Sequence, residues 1–453
     1  MLHSYKLNGY NIILDISSGS IHSVDAVAYD AINLYGRGGR EAAEKYTRKT
    51  YPDITAAQVD ELFSDIEELI QRGKLLTPDV FSDIIEPAKK RTLKALCLNV
   101  SHLCNMRCTY CFAGRGEYGG DEGLMSLETG VQALDFLIAN SGGRKNLDVD
   151  FFGGEPLLNW GVVKDIISYA REIESASGKK FRFTLTTNGL LIDDDVIDFT
   201  NREISNVVLS LDGRPEINDN SRKLLGGGGS YSDVVPKFKK FTESRGENEY
   251  YIRGTFTRDN LDFTSDILHI ADLGFTELSM EPAVAEESAP YGLSMDDLPT
   301  LFEQYEKLAK EMLTREEAGR AFTFYHYKLD LSGGPCVYKR VLGCGVGAEY
   351  MAVTPRGDLY PCHQFVGNSS FLLGNVASGI TNERLHDVFC GRNVYNRPEC
   401  RECWARLYCS GGCAANSFNA AGSIDGIYKL GCELFKKRME CAIMIKVARS
   451  VNH

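Results

Sequence analysis

Cys104-Asn-Met-Arg-Cys108-Thr-Tyr-Cys111 places three thiols within eight residues, directly after a strand-like run, LKALCLNVS. Three thiolates can hold three irons of a [4Fe–4S] cluster, which is normally ligated by cysteine. The fourth iron would then lack a protein ligand and could take the amine and carboxylate of a small molecule. A zinc ion could instead use the same thiols with His102 as its fourth ligand. A second constellation lies towards the C-terminus. Cys344 is followed by twelve residues and Gly357, then by four residues and Cys362. Cys400-X2-Cys403-X5-Cys409-X3-Cys413 comes next, and Cys432 follows after eighteen more residues. Seven thiolates are too many for one cluster and suit two. A pair of structural zinc knuckles is the competing use for them.

The chain has fourteen cysteines in 453 residues. In a reducing cytosol these are poor disulfide candidates, and metal or cluster ligation is the better reading where spacing supports it. Cys97 on an apolar strand, Cys441 in an apolar helix and Cys390 are expected to be small core residues. Cys336, eight residues before Cys344, could be a further ligand.

Between the two constellations, three glycine-bearing turns end strand-like runs: Gly153-Gly154-Glu155-Pro156, Thr186-Thr187-Asn188-Gly189 and Ser210-Leu211-Asp212-Gly213. Glycine at a strand end lets backbone approach a ligand closely. Each turn alone is unremarkable in type. Their joint order after the CX3CX2C motif resembles the radical S-adenosylmethionine (SAM) superfamily. That resemblance implies SAM contacts by Gly153, Gly154, Glu155, Thr187, Asn188, Ser210 and Asp212, with Tyr110 beside the adenine. Arg222 and Arg253 are candidates for the SAM carboxylate, because a guanidinium suits bidentate carboxylate binding. Each alone is more often an ordinary surface ion pair.

The C-terminal cysteines and Gly357 resemble the SPASM domain of radical SAM peptide maturases. The resemblance implies an interleaved wiring, with Cys344, Cys362 and Cys413 on auxiliary cluster I. Cys400, Cys403, Cys409 and Cys432 would hold auxiliary cluster II. Cluster I is expected to keep an open iron for a substrate thiol, in preference to ligation by Cys336. The implied cofactors are therefore three [4Fe–4S] clusters and SAM. When reduced, the first cluster splits SAM to a 5′-deoxyadenosyl radical that abstracts a hydrogen atom, and the cofactor carries that chemistry. A ferredoxin or flavodoxin is the expected electron donor.

These residues need elements to position them. Residues 92–285 alternate strand-like and helix-like runs, with LKALCLNVS, NLDVDFFGG, KFRFTLTTNG, NVVLSLDG, YYIRGTFT and ELSMEPA as strands. Such repetition predicts an α/β fold, a parallel sheet flanked by helices, with ligand chemistry at the carboxyl ends of the strands. Six strands suit an open partial (β/α)6 barrel. Gly226–Gly229 reads as a surface loop. Residues 286–330 read as a helical linker, and 331–453 as the turn-rich SPASM domain.

Residues 1–86 read as a unit of their own. KLNGYNIILDISSGSIHSVD gives a hairpin or three-strand meander around Asn-Gly and Ser-Gly-Ser turns. Helices are predicted over AVAYDAINLY, EAAEKYTRKT and AAQVDELFSDIEELIQRGK, the last capped by Asp53 or Thr55, with a short strand near Lys74–Thr77. A charged EPAKKRT stretch links to the core. This winged-helix-like unit resembles the recognition element for the leaders of ribosomally made peptides (RiPPs), where an extended peptide adds to a sheet edge. The expected edge is Ser20–Val24, beside Ala26–Tyr35. A DNA-binding winged helix is disfavoured, because Asp and Glu match or exceed Lys and Arg across it.

The whole chain resembles maturases of SCIFF peptides, small precursors with many cysteines. That implies a thioether from a peptide cysteine to the α-carbon of an acceptor, threonine being expected. Two alternatives stand beside it. An anaerobic sulfatase maturase would form formylglycine, but such enzymes place an aspartate where this chain has His363, and generally lack the N-terminal unit. His363 could itself act as a base. A non-enzymatic metal-binding peptide scaffold is the other. The net charge of −12 argues against broad attraction to nucleic acid or anionic lipid. No apolar run is long enough to span a membrane, and the N-terminus does not read as a secretory signal. The expected location is the cytoplasm.

Overall fold

The computed structural model describes residues 1–84, 91–114, 116–119, 123–285, 289–329 and 337–451. Cys336 and most of the EPAKKRT linker lie outside these residues. At the start of the chain, β1 (Leu2–Leu7) and β2 (Tyr10–Asp15) pair antiparallel. The two-residue loop between them, Asn8-Gly9, has both φ angles positive (51° and 84°), the geometry that tight hairpins need. β3 (Ile21–Val24) pairs with β2 on its other side. The expected helices over 26–50 merge into one, Ala26–Thr50, interrupted at Gly39 where φ is 75°. Ala56–Gln71 follows, and Thr55 caps it in a reciprocal box with Gln58.

No strand forms at Lys74–Thr77. Leu76 takes a positive φ of 55°, and the Thr77 amide donates to the Asp15 carboxylate at 2.8 Å instead of to a ladder. Alternation along β2 splits its residues between two cores. Ile13 packs with Ile32, Phe63 and Ile66 of the unit's own helices. Ile12 and Leu14 join the main core of the molecule. The N-terminal sheet is therefore covered on both faces.

The central sheet holds β4 (Ala95–Ser101), β6 (Asn146–Gly153), β7 (Lys180–Thr187), β8 (Asn206–Ser210), β10 (Glu249–Phe256) and β11 (Glu277–Pro282). All neighbours among these pair parallel. They coincide with the six strands expected from alternation. A small ribbon, β5 (Met106–Cys108) with β9 (Arg222–Leu224), sits beside the sheet. Ser126 and Asp193 cap the helices Leu127–Asn140 and Asp194–Glu203 through their side chains. On β7, Phe181, Phe183 and Leu185 pack into the main core with Ile166 and Ile167 of helix Trp160–Ser177. Arg182, Thr184 and Thr186 point the other way, as strand geometry requires. With Asp150, Arg253 and Glu281 they make the inner face polar.

The sheet does not stop at six strands. β12 (Thr323–Phe324) adds parallel to β11. β13 (Tyr350–Val353) adds parallel to β4 at the opposite side. Three antiparallel strands follow outward: β14 (Asp358–Tyr360), β15 (Gly374–Asn375) and β16 (Gly379–Ile380). The cysteine-rich C-terminal region thus begins inside the same sheet as the first cysteine motif. It also has an apolar core of its own around Phe365, Phe371 and Phe389. The last helix, Lys429–Val451, packs against Leu298–Glu317 and β1. No described helix is long and apolar enough to cross a membrane.

Candidate metal and cofactor centre

β4 delivers the chain to the first cysteine motif. Beyond Ser101 its backbone is clamped by the turn that ends β6. The Gly154 amide donates to Ser101 O and the Glu155 amide to Leu103 O, both at 2.8 Å. A side chain at either glycine is impossible here. A Cβ on Gly153, where φ is 135°, would lie 2.2 Å from Ser101 O, and one on Gly154 would lie 2.3 Å from Leu103 O. These glycines therefore serve a close approach of the protein's own backbone to the segment leading into Cys104.

Glu155 is buried, and its carboxylate is taken up by the protein. Oε1 accepts from Thr187 Oγ1 at 2.7 Å and from the Leu157 amide at 3.1 Å, while Oε2 accepts from the Asn188 amide at 2.8 Å. The carboxylate fixes the end of β7 against the end of β6. Asn188 in turn donates to Asn105 Oδ1 at 2.7 Å and approaches Cys104 Sγ at 3.8 Å.

Cys108 is held by the ribbon, opposite Arg222. Tyr110 donates to Asp212 Oδ2 at 2.6 Å and accepts from Arg222 Nη1 at 2.9 Å. Asp212 also accepts from Ser221 at 2.8 Å and from the Thr255 amide at 3.0 Å. It is fully buried and anchors Tyr110 from behind. Arg222 is already engaged, whereas the Arg253 side chain is exposed within the cavity described next.

A cavity of about 1040 Å³ opens at the carboxyl ends of the strands. Its lining includes Cys104, Cys108, Cys111, Tyr110, Gly153, Gly154, Glu155, Thr187, Asn188, Ser210, Arg222 and Arg253. Cys400, Cys403, Cys409, Cys413 and Cys432 line the same cavity. Asp212, Cys344 and Cys362 stand outside this lining. Electrostatic neighbours sort the ten thiols into three sets. Burial pushes Cys104 up to about 12, and Cys108 and Cys111 add to it. Burial pushes Cys362 up to about 12, with Cys413 and Cys344 adding. Burial does the same to Cys409, with Cys432, Cys400 and Cys403 adding.

None of the described cysteines forms a disulfide. Among the described residues no three His, Cys, Asp or Glu side chains converge as one metal ion would require. Ligands of a single zinc lie about 2.3 Å from the ion, hence roughly 4 Å from one another. A donor set made only of sulfur matches the ligand chemistry of an iron–sulfur cluster. His102 does not complete a zinc site. It is fully buried and stacks on Tyr118 at 4.6 Å. Cys97, Cys390 and Cys441 are buried in core positions.

Sequence reasoning left one polar group in the cavity unnoticed. Glu281, at the end of β11, pairs with Arg438 at 3.2 Å and His326 at 3.3 Å. Burial raises the Glu281 carboxyl, but His326, Arg438 and Arg253 outweigh it and hold it below its ordinary value. Its place at a strand end was a usable signal; its partners were not. His363 also lines the cavity. It shares a 3.3 Å hydrogen bond with Tyr350 and packs near Phe152 at 4.8 Å. Burial, with Arg253 nearby, pushes its imidazole down to about 4.

With this geometry in hand, likeness to known proteins becomes informative. The family model of the Radical SAM superfamily matches residues 98–262. The match covers the central strands and the turns that end them, so this region is similar to that superfamily. A radical SAM cyclopropyl synthase, TigE, of Paramaledivibacter caminithermalis is 22% identical, over 92% of this chain and 89% of its own. A cysteine-type anaerobic sulfatase-maturating enzyme of Clostridium novyi is 25% identical, over 77% and 95%. Among solved structures, native anSMEcpe with bound AdoMet and Cp18Cys peptide superimposes with a TM-score of 0.64 at 22% identity, covering 79% of this chain and 99% of that one. Streptococcus suis SuiB bound to precursor peptide SuiA gives 0.51 at 16%, covering 95% and 98%. These superpositions show a shared mixed α/β fold.

Proposed function

We propose that this chain is a radical SAM maturase that joins a cysteine sulfur to the α-carbon of an acceptor residue, threonine being expected, in a Cys-rich ribosomal precursor peptide. The observation that carries the reading is one cavity whose lining holds both Cys104, Cys108 and Cys111 and five further cysteines from the C-terminal region. The relatives' names point the same way: Cp18Cys and SuiA are peptides bound by the proteins that share this fold.

Cys104, Cys108 and Cys111 would hold the SAM-binding cluster. Cys344, Cys362 and Cys413 would hold auxiliary cluster I, and Cys400, Cys403, Cys409 and Cys432 auxiliary cluster II. When bound and reduced by a ferredoxin or flavodoxin, the first cluster with SAM supplies a carbon radical that abstracts hydrogen. The chain's part is placement. Gly153, Gly154 and Glu155 hold the Cys104 segment, Thr187, Asn188 and Ser210 line the cavity, and Arg253 offers a guanidinium to a carboxylate. Tyr110, tied to Asp212 and Arg222, presents its ring to the cavity. The outer edge of β3, which pairs only with β2 among the described strands, is where a leader could add as a further strand.

The test is mass spectrometry of a Cys-rich precursor co-expressed with the chain. Each thioether removes two hydrogens and protects one cysteine from alkylation. Loss of two hydrogens with every thiol still alkylated would overturn the thioether and favour carbon–carbon ring closure, as in the name of the cyclopropyl synthase relative. Conversion of Cys or Ser to an aldehyde would favour the sulfatase-maturase alternative. Full iron loading with no SAM cleavage would leave only the scaffold.

A further inference from the structure

The loop that carries Cys400, Cys403 and Cys409 is braced from the opposite end of the chain. Arg406 lies between Cys403 and Cys409, and its side chain is only 3% exposed. Its guanidinium donates to Asp79 Oδ2 through Nη2 at 2.7 Å and Nε at 3.2 Å, and to Cys403 O at 3.2 Å. The Tyr395 hydroxyl donates to the same carboxylate at 2.9 Å. Phe81, two residues on from Asp79, packs into a small apolar cluster with Leu407, Val394 and Cys400. Trp404, directly after Cys403, stacks on His3 of β1 at 3.7 Å with the rings 3° from parallel. His3 also bonds Glu440 at 3.0 Å, on the helix that bears Cys432.

A buried guanidinium with a single carboxylate partner cannot keep its position when that partner is lost. The segment is two four-residue helical turns, Pro398–Arg401 and Arg406–Cys409, too short to hold their shape alone and so dependent on such braces. We propose that Asp79 and His3 are positioning residues for the Cys400, Cys403, Cys409 and Cys432 set, so that the N-terminal unit backs Trp404 and Arg406, which line the cavity. Asp79 acts through Arg406 and His3 through Trp404. This rests on the reading of that set as cluster ligands.

The test uses the full chain in two forms. In the iron-free form, cysteine alkylation is mapped by mass spectrometry for Asp79→Ala, Asp79→Glu and His3→Ala. Asp79→Ala should speed modification of Cys400, Cys403 and Cys409 by about tenfold, the signature of a locally opened segment. Cys104, Cys108 and Cys111 should react as before, and Asp79→Glu should restore protection. His3→Ala should act in the same direction. In the anaerobically reconstituted form, Cys400→Ala identifies the electron paramagnetic resonance signal of this set, and Asp79→Ala should shift or abolish that signal alone. Unchanged alkylation, or an equal change at all cysteine sets, overturns the proposal. A wild-type chain that takes up no cluster at this set refutes the ligand assignment, while the alkylation pattern still decides whether Asp79 and His3 position the thiols.

Discussion

Glu155, buried, and Asp150, half-buried, show how differently two carboxyls can be used. Glu155 gives its oxygens to three donors of the protein and so joins two strand ends. Asp150, on the inner face of β6, is pushed up to about 6 by burial, with Asp148 adding and Thr184, Lys94 and Arg182 opposing. Its folded value lies above the ordinary 3.8, so the native state binds the proton more tightly. Asp150 therefore costs stability as pH rises between those two values. Asp150→Asn should stabilise the chain by about 1–3 kcal/mol near pH 7.5 and by little near pH 4. Denaturant midpoints at the two pH values check this, and an equal effect at both would contradict it. At this scale the cysteines were legible, because CX3CX2C and the C-terminal spacings are local patterns. The Glu281, Arg438 and His326 group was not, since Arg438 stands 157 residues from Glu281 and only folding brings them together.

Among the elements, long strands and helices were readable and short ones were not. β4, β6, β7, β8, β10 and β11 each show alternation over enough residues to be recognised. β12 has two residues and β13 four, too few for a period, so the extension of the sheet was invisible. The Lys74–Thr77 segment had strand-like composition, but the Asp15 carboxylate claims its amide. The glycines ending β6 were legible as special, although the close approach they permit is to Ser101 and Leu103. Gly153→Ala tests that reason. With a Cβ 2.2 Å from Ser101 O the junction must open, costing about 2–4 kcal/mol. Iron bound by the Cys104 set and SAM binding should fall together, while the C-terminal sets still load. Equilibrium dialysis with SAM and cluster spectroscopy on the same sample would show it. Normal SAM binding by the variant would count against the clamp.

Across the whole molecule, the thiol sets share one electrostatic condition. Cys104, Cys362 and Cys409 are each pushed up to about 12 by burial, so they are neutral thiols at ordinary pH when no metal is present. Ligation requires thiolates, and loading must therefore release protons. Apparent iron affinity at fixed sulfide should rise about tenfold or more from about pH 6.5 to about pH 8.5, measured by iron content after gel filtration. Uptake independent of pH would show that the thiols are ionised beforehand. The packing of the N-terminal sheet into the main core was not legible in the sequence, because Ile12 and Leu14 look from sequence like any strand's inward face.

β4 has β6 on one side and β13 on the other. It runs on to Cys104, while β13 turns through β14 to Cys362. Adjacent strands in one ladder are held about 4.8 Å apart, with Leu98 level with Val353. The interval between the sulfurs at either end of this route is thus a matter of backbone carpentry, which no swinging of one lobe against another can lengthen. If electrons tunnel across that gap, their rate is set when the sheet zips up, and a slip of one residue between β4 and β13 would retune it.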